Sequence, residues 1–336
     1  MVPGLGVPSR WQEMGAGRGT GVAVKPGAEV PTVERFRVAG SEVELHREDC
    51  LALLSRLEEG SIDVVVTSPP YNIGVQYGTY DDTRLSRDEY LDWLAAWAGQ
   101  VRRVLRPKGS LFLNLGSKPS DPWVPFEVVT RLRGILALQN VIHWIKSIAI
   151  EKDFVGAGAE LAADLTVGHY KPINSPRYLN DCHEYVFHMT RDGDVSLDRL
   201  AVGVPYQDKS NVARWSSAAG DRHCRGNTWF VPYQTIRSRS LQRPHPASFP
   251  VELARKCILL HGARPGLRVL DPFLGLGHSG RAAVAAGVDF LGCELDPEYF
   301  AVACETLRTS APGSSSRDEE PGARQEPDPP LQGELF

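Results

Sequence analysis

Two short stretches of the chain combine residue types that could carry out a group-transfer reaction. Thr67-Ser68-Pro69-Pro70-Tyr71-Asn72 directly follows the apolar run 62–66, and Asp271-Pro272-Phe273-Leu274-Gly275-Leu276-Gly277 follows a second apolar run. The first turn is rich in hydrogen-bond acceptors and carries an aromatic ring, whereas the second is rich in glycine. We therefore expect the first turn to hold a polar acceptor group and the second to hold a nucleoside-bearing cofactor.

The glycine-rich turn has the features of a nucleoside site. Gly275 and Gly277 let backbone amides approach a ligand closely, just before a helix that we expect to begin near Ser279. Glu294 ends the next apolar strand, 19 residues after Gly275, and an acid at that place can accept hydrogen bonds from both ribose hydroxyls. A purely structural glycine turn would also explain a short G-x-G signal. The acid at the end of the following strand favours the cofactor site.

The Ser-Pro-Pro-Tyr turn suits chemistry on an amine. Two consecutive prolines remove backbone donors and fix the backbone, which aims the carbonyls and Ser68 Oγ outward. The exocyclic amine of a nucleobase is a poor nucleophile because its lone pair is delocalised into the ring. Acceptors on its N–H groups would localise that lone pair toward an electrophilic methyl group, and Tyr71 offers a face on which a flipped base can stack. The structural alternative is a proline-stiffened turn with a packed tyrosine.

The elements that must position these turns appear as short apolar runs alternating with amphipathic stretches. Hydrophobic periodicity predicts strands over Glu42–His46, Ile62–Thr67, Ser110–Leu115, Val141–Ile145, Tyr185–Met189, Arg268–Asp271 and Asp289–Cys293. It predicts helices over Asp49–Leu57, Arg87–Leu105, Phe126–Ala137, Pro250–Leu260, Ser279–Ala286 and Pro297–Leu307. This alternation predicts an α/β fold with a doubly wound, mostly parallel sheet. Residues 191–243 break the rhythm and form a candidate inserted lobe.

On these residues the chain resembles the S-adenosylmethionine-dependent DNA amino-methyltransferases, in the permuted (beta) class whose catalytic tetrapeptide precedes the cofactor motif. The resemblance covers about residues 40–307. It implies that Ser68, Pro69, Pro70 and Tyr71 are catalytic, with Ser68 and the Pro69 carbonyl holding the target amine. It implies contacts to S-adenosylmethionine from Asp49, Cys50, His245, Ser248, Asp271, Phe273, Gly275, Gly277, Ser279, Glu294 and Leu295. His278-Ser279 departs from the two threonines common in the family, although Ser279 keeps a hydroxyl.

The resemblance also implies a Rossmann-like methyltransferase fold with a seven-stranded sheet in circularly permuted order. If Glu42–His46 is the third strand, the chain passes through strands three to seven, crosses the inserted lobe and returns as strands one and two. Val141–Lys146 and Asn180–Tyr185 match further family blocks on later strands. The implied reaction is direct in-line transfer of a methyl group to an exocyclic amine of a flipped base.

The charge of the chain is unevenly distributed. The net charge is −4, and residues 309–336 hold six acids and two arginines, so the rest is neutral. Within that rest, residues 209–243 hold seven bases against one acid. A basic patch on a neutral body suits phosphate contacts, so we expect double-stranded DNA as a partner of Arg214, Arg222, Arg225, Arg237, Arg239 and Arg243. A solvated face is the alternative for these arginines.

The sequence leaves two exocyclic amines as candidate targets, N4 of cytosine and N6 of adenine. In the family, Ser-Pro-Pro-Tyr most often marks N4-cytosine enzymes and Asp-Pro-Pro-Tyr marks N6-adenine enzymes, so Ser68 favours cytosine N4. Cytosine C5 methylation needs a cysteine nucleophile, usually after proline in those enzymes, and no Pro-Cys dipeptide occurs here. A non-catalytic DNA-binding protein of the same fold is an alternative of another class, disfavoured by the intact motifs. Methylation of RNA or protein is a third alternative, disfavoured by the basic insert.

The chain divides by composition into five parts. We expect a flexible arm over 1–34, the catalytic half of the methyltransferase domain over 35–190, and a target-recognition region over 191–243. The cofactor-binding half then covers 244–308, and a disordered acidic tail covers 309–336. The last five residues, Gln332–Phe336, resemble the Q-x-x-L-F peptide that docks bacterial proteins onto the replication sliding clamp.

The remaining expectations concern location, metals and assembly. No apolar stretch approaches the ~20 residues of a membrane span, and no secretory signal is evident, which predicts a cytoplasmic, nucleoid-associated protein without membrane contact. The six cysteines are scattered without a C-x-x-C pair, so we expect free thiols and no metal. Permuted enzymes of this class often dimerise, so the resemblance implies a homodimer.

Overall fold

The computed structural model describes residues 32–74, 84–154, 161–168, 175–210, 212, 220–232 and 249–310. Its strands are β1 (Thr32–Val38), β2 (Ser41–Arg47), β3 (Ile62–Thr67), β4 (Leu105–Leu115), β5 (Ala137–Ile145), β6 (Ile148–Ile150), β7 (Leu165–Val167), β8 (His183–Thr190), β9 (Thr228–Phe230), β10 (Arg268–Asp271) and β11 (Asp289–Glu294). Its α-helices are α1 (Cys50–Arg56), α2 (Arg87–Val104), α3 (Val124–Leu132), α4 (Val251–His261), α5 (His278–Ala285) and α6 (Pro297–Arg308). A single 3-10 turn covers Lys152–Phe154 in the described part.

Nine of the strands form one sheet in the order β1-β2-β11-β10-β3-β4-β8-β5-β9. From β2 to β4 the neighbours are parallel, whereas β8 runs antiparallel to both β4 and β5. β10 and β11 come last in the chain but lie between β2 and β3. The two halves of the chain therefore complete one sheet, which confirms the predicted mostly parallel sheet and its permuted order.

The sheet is wider than the seven strands predicted, because β1 and β9 extend its two edges. β1 begins at Thr32, so the last residues of the predicted arm belong to a strand. Ala39 and Gly40 connect β1 to β2 with φ values of 53° and 91°, the pair of positive values that suits a two-residue hairpin turn. β9 lies within the region predicted as an inserted lobe and pairs in parallel with the end of β5.

Helices cover both faces of the sheet, which explains the apolar centre of β3, residues 64–66; Asp63 near its start is buried against Arg264 and the Arg268 amide. Val64 and Val66 face a core cluster that includes residues of α4, α5 and α6. Val65 faces the opposite cluster, which includes residues of α1, α2 and α3. A strand covered on both sides has no face left for polar residues. The hydrophobic run therefore places the turn that follows it at the centre of the sheet edge.

Two predicted boundaries differ from the observed ones for local reasons. The helix predicted over Phe126–Ala137 covers Val124–Leu132 instead: Pro125 lies in its first turn, and Gly134, with φ of 94°, lies just beyond its end. In β4, pairing with β3 jumps from Leu105 to Ser110. The strand predicted over Ser110–Leu115 therefore begins earlier, at Leu105, and residues 106–109 form an irregular stretch near its start.

Candidate active site

The two turns singled out in the sequence lie side by side at the carboxyl edge of the sheet. β3 and β10 are parallel neighbours, with Val64 opposite Val269 and Val65 opposite Leu270. Their ends are joined directly, because Thr67 Oγ1 donates a hydrogen bond of 2.6 Å to Asp271 Oδ1. Ser68 therefore leaves β3 next to the residue that opens the glycine-rich turn. The carboxyl edge of an open α/β sheet is where ligands bind.

Asp271 organises the glycine-rich turn from inside the protein. Its side chain is buried, and its Oδ1 also accepts the Phe273 amide at 3.0 Å. Its Oδ2 accepts the hydroxyl of Ser279, in the first turn of α5, at 2.5 Å. Burial raises the pKa of this carboxyl to about 6. One carboxyl thus fixes the end of β3, the turn and the start of α5 relative to one another.

Glu294 closes the turn from the neighbouring strand. Its Oε2 accepts the Gly275 amide at 2.7 Å, and its Oε1 accepts the amides of Leu295 and Asp296 at 2.9 Å each. Gly275 and Gly277 have φ values of 53° and 85°, the left-handed conformations for which glycine is preferred. Burial raises the pKa of Glu294 to about 7. Oε1 already accepts two amides, whereas Oε2 accepts one and has a second lone pair with which it can accept a ligand hydroxyl.

Asp49 and Cys50 lie beside Glu294, as a common cofactor site requires. The backbone of Glu48 donates to the Glu294 carbonyl at 3.2 Å. Asp49 caps α1, where its Oδ1 accepts the amides of Leu51 and Ala52. Cys50 is buried, and burial raises the pKa of its thiol. Leu295 is 37% exposed at the outer side of this group.

Phe273 forms an aromatic wall between the glycine-rich turn and α2. Its ring lies 5.8 Å from that of Trp93 and 5.7 Å from that of Trp97, measured between centroids. Trp97 is fully buried, whereas Phe273 is only partly buried. The ring of Phe273 is therefore held in place from behind while part of it stays accessible.

The backbone of the Ser-Pro-Pro-Tyr turn is held by α2. Tyr90 is buried in that helix and its hydroxyl donates to the Pro70 carbonyl at 2.7 Å. Tyr71 is only 8% exposed, and its hydroxyl lies 2.7 Å from Ser68 Oγ. The turn thus presents a half-buried hydroxyl next to a tyrosine whose oxygen is anchored. Stacking of a base on Tyr71 remains a prediction.

Three further side chains belong to this site and were not among the predicted site residues. Asn114 Nδ2 donates to Tyr71 OH at 2.8 Å and to Glu184 Oε2 at 2.7 Å. Lys146 Nζ donates to Glu184 Oε1 at 3.1 Å. Asn114 lies near the end of β4, Lys146 directly follows β5, and Glu184 lies near the start of the antiparallel β8. All three therefore lie at the same edge of the sheet. An asparagine within the apolar run Leu111–Leu115 was the available sequence signal.

The comparison with known families settles which proteins this arrangement belongs to. A family model described as "DNA methylase" matches residues 62–305, which include both turns. The chain belongs to the DNA methylase family. It is a DNA methyltransferase of the class that acts on N4 or N6 amines.

Individual relatives agree with this assignment. The methylase is 27% identical over 274 residues to the type II methyltransferase M.HpaI of Haemophilus parainfluenzae, a match that covers 81% of this chain and 76% of the relative. It is 26% identical over 261 residues to the DNA adenine methyltransferase YhdJ of Escherichia coli, covering 77% and 80%. Its fold resembles that of the PvuII DNA methyltransferase (cytosine-N4-specific) with a TM-score of 0.57 at 20% identity, covering 82% and 89%.

Several predicted site residues of the methylase lie outside the described part of the chain. They are His245, Ser248, Arg214, Arg237, Arg239 and Arg243, as well as the tail peptide Gln332–Phe336. Phe249, which follows the predicted cofactor segment, has its carbonyl 2.7 Å from His278 Nδ1. The described residues after His245–Ser248 therefore contact the start of α5, next to the glycine-rich turn.

Arg222 and Arg225 are described, and the side chains of both contact backbone carbonyls. Arg225 Nε donates to the Val202 carbonyl at 3.0 Å, and Arg222 Nη1 lies 3.5 Å from the Leu200 carbonyl. These bonds tie the arginines to the segment before β9. Contact with DNA remains a prediction for both.

Among the residues that the structure describes, no group of three or more His, Cys, Asp or Glu side chains could hold a metal ion. In the same part of the methylase, no helix has the length and apolar character needed to cross a membrane.

Proposed function

We propose that this DNA methylase transfers a methyl group from S-adenosylmethionine to the exocyclic N4 of cytosine at a specific sequence in duplex DNA. The observation that carries the proposal is the position of Ser68. Its hydroxyl follows the residue that bonds to Asp271 at 2.6 Å, so an amine held by Ser68 would adjoin the ligand held by the glycine-rich turn. Such proximity is the main requirement for direct transfer between two bound groups.

S-adenosylmethionine is the methyl donor of this DNA methylase, and the residues at the sheet edge fit it. Glu294 would accept the ribose hydroxyls, and Asp49 would hydrogen-bond the adenine. Phe273, Cys50 and Leu295 would supply apolar contacts around it. When bound, the cofactor supplies an electrophilic methyl group on a sulfonium. The glycines at 275 and 277 keep the backbone free of side chains where such a ligand must approach.

The Ser-Pro-Pro-Tyr turn would bind and orient the target amine. Ser68 Oγ and the Pro69 carbonyl accept hydrogen bonds from its two N–H groups, which localises the nitrogen lone pair toward the donor. Tyr71 stacks on the base after it leaves the duplex, and its anchored hydroxyl limits rotation of the ring. The prolines hold this arrangement before the substrate arrives, so little ordering is needed at the moment of transfer.

Cytosine N4 is the preferred target and adenine N6 is the second candidate. Ser-Pro-Pro-Tyr resembles the tetrapeptide of N4-cytosine enzymes, with a serine where N6-adenine enzymes carry an aspartate. One observation favours adenine, because the relative YhdJ is named as an adenine methyltransferase and covers 77% of this chain. Several relatives are named type II methyltransferases, which supports a role in restriction and modification.

DNA recognition would fall to the region before and around β9. Arg222 and Arg225, together with Arg214, Arg237, Arg239 and Arg243, would contact phosphates or guanine edges. A homodimer and a contact of Gln332–Phe336 with the sliding clamp are further proposals that rest on resemblance. The proposal includes base flipping, since an amine inside a stacked duplex is out of reach of a buried turn.

Identification of the methylated nucleoside tests the function. DNA free of amino-methylated bases is incubated with the purified protein and S-adenosylmethionine, digested to nucleosides and analysed by mass spectrometry. We expect N4-methylcytosine, and none in a reaction without the cofactor. N6-methyladenine alone would refute the cytosine assignment. Tight DNA binding without any methylated nucleoside would refute the enzyme and support a binding protein.

A further inference from the structure

Four polar side chains form one continuous hydrogen-bonded chain that begins at Ser68, and a fifth, Asn114, contacts three of them. Ser68 Oγ lies 2.7 Å from Tyr71 OH, and Tyr71 OH lies 3.2 Å from Glu184 Oε2. Lys146 continues the chain at 3.1 Å from Glu184 Oε1. The side chains of Glu184 and Lys146 are 17% and 19% exposed, so a charged pair stands largely inside the protein behind the catalytic turn.

The carboxylate of Glu184 fixes the direction of the hydrogen bonds between it and Ser68. An ionised Glu184 can only accept, so the Tyr71 hydroxyl must donate its proton to Oε2. The Tyr71 oxygen then has only lone pairs left for Ser68, so the Ser68 hydroxyl must donate to Tyr71. Ser68 Oγ then accepts only from Asn114 Nδ2, at 3.5 Å, and keeps its other lone pair for the target amine. Glu184 acts at a distance by making Ser68 an acceptor.

Asn114 supports this direction independently. Its amide nitrogen faces both Glu184 and Tyr71, at 2.7 and 2.8 Å, while its buried Oδ1 has no hydrogen-bond partner in the described structure. Turning the amide over would bring an oxygen against the carboxylate oxygen, where two acceptors repel. In the observed orientation Asn114 Nδ2 donates one hydrogen to Glu184 and one to Tyr71, and Oδ1 is left without a hydrogen bond. This is the arrangement expected around an ionised carboxylate whose charge Lys146 compensates.

We propose that Glu184 is the positioning residue of the reaction and the final acceptor of the proton that the target amine loses, an inference that rests on the proposed function. As the N–C bond forms and the S–C bond breaks, Ser68 Oγ takes a proton from the amine. Ser68 passes its own proton to Tyr71, and Tyr71 passes its proton to Glu184 Oε2. After the transfer the exocyclic amine is N-methylated and neutral, the sulfonium has become a neutral thioether, and Glu184 is a neutral carboxylic acid.

A double-mutant cycle of Glu184→Gln and Tyr71→Phe tests this inference. Glutamine can donate to Tyr71 and so reverse the chain, which makes Tyr71 donate to Ser68 and occupies the lone pair that the amine needs. Phenylalanine keeps the ring but removes the hydroxyl through which a proton can pass from Ser68 to Glu184; Asn114 Nδ2, which contacts both residues, can only donate. Each single variant should lower kcat by about 100-fold, the lower range for a positioned proton acceptor. The double variant should be no slower than the slower single variant, because both changes cut the same chain.

Measurements other than turnover separate this role from support of the fold. The dissociation constant for S-adenosylmethionine, measured by calorimetry, should stay within about twofold of the unmodified protein for each variant, because the chain lies outside the Asp271–Glu294 contacts. Glu44→Gln is the matched control, since Glu44 is also a partly exposed, ion-paired glutamate of the same sheet. Its kcat should be unchanged.

Three results would overturn the inference, and a fourth would overturn its basis. An unchanged kcat in Glu184→Gln, losses that multiply in the double variant, or a parallel loss of cofactor affinity would each assign Glu184 a merely structural role. In all three cases the unmodified protein still methylates DNA and the proposed function stands. Absence of methyl incorporation by the unmodified protein would refute the proposed function, and this inference with it.

Discussion

Replacing Ser68 with alanine should lower the rate of methyl transfer by about 100- to 1,000-fold, the loss seen when one preorganised polar contact to a transition state is removed. The Ser68 hydroxyl is half-buried, and its oxygen can accept a hydrogen bond from an N–H of the target amine. Alanine would leave that N–H of the amine without an acceptor. Cofactor affinity should change by less than about twofold, because Ser68 makes none of the contacts that hold the glycine-rich turn. Turnover at saturating cofactor and calorimetric cofactor binding measure the two effects separately.

Ser61→Ala is the matched control for this prediction. Ser61 precedes the same strand at its other end, where its hydroxyl donates to the Glu58 carbonyl at 2.8 Å. Removing that hydroxyl costs a local hydrogen bond of about 1 kcal/mol and should leave turnover as it is. Loss of cofactor binding with unchanged chemistry in Ser68→Ala would contradict the role assigned to Ser68.

Replacing Glu294 should have the opposite signature, with weaker cofactor binding as the first effect. A carboxylate that accepts hydrogen bonds contributes about 1.5–3 kcal/mol, so we expect Glu294→Ala to raise the dissociation constant for S-adenosylmethionine by about 10- to 150-fold. The alanine also removes the acceptor for Gly275 and so loosens the turn. Glu298→Ala, an exposed change in the first turn of α6, is the control that should bind normally.

The same residue should make cofactor binding depend on pH. Burial raises the pKa of Glu294 to about 7, and protonation of the carboxyl would put a hydrogen where its oxygens accept the backbone amides and a ribose hydroxyl. Lowering the pH from 8 to 6 should therefore weaken binding by about tenfold, and Glu294→Gln should remove this dependence. A pH-independent dissociation constant in the unmodified protein would contradict the assignment.

The folding stability of the protein without cofactor should also depend on pH, because of the same pKa shift at Glu294. Because the pKa of Glu294 rises from its ordinary value of 4.5 to about 7, the folded protein holds more protons than the unfolded chain between those values. Its stability therefore falls as the pH rises through that window. Asp271 acts in the same direction over a lower range, since its pKa rises to about 6.

Strands whose residues are buried could be predicted from the sequence. Strands that form mainly by pairing with a distant strand could not be predicted as well. Ile62–Thr67 and Arg268–Asp271 were predicted with their observed bounds because strands covered on both faces carry apolar residues at their central positions. β9, at Thr228–Phe230, has only three residues and forms by pairing with the distant end of β5, so its own sequence carries little signal. β1 is an edge strand whose half-exposed, alternating residues adjoin a glycine- and proline-rich arm.

The site divides in the same way. The neighbourhood of Ser68 and Gly275 follows from one rule, that parallel strands end at the same edge of a sheet. The roles of Asn114, Glu184 and Lys146 depend on how three strands align around Tyr71. Strand register across β4, β8 and β5 is a property of the folded sheet. No spacing along the chain could reveal that these side chains meet.

The central claim is that one crevice holds the methyl donor and the target amine on neighbouring turns. A crystal structure of the protein with S-adenosylhomocysteine tests it most directly. The adenine should lie beside Asp49 and the ribose hydroxyls on Glu294, with the sulfur facing Ser68 so that a methyl on it would lie about 3–3.5 Å from a bound amine. A cofactor whose sulfur faces away from Ser68 would contradict the claim. So would one bound at the opposite edge, in the cavity of about 280 Å³ lined by Lys108, His261 and Arg264.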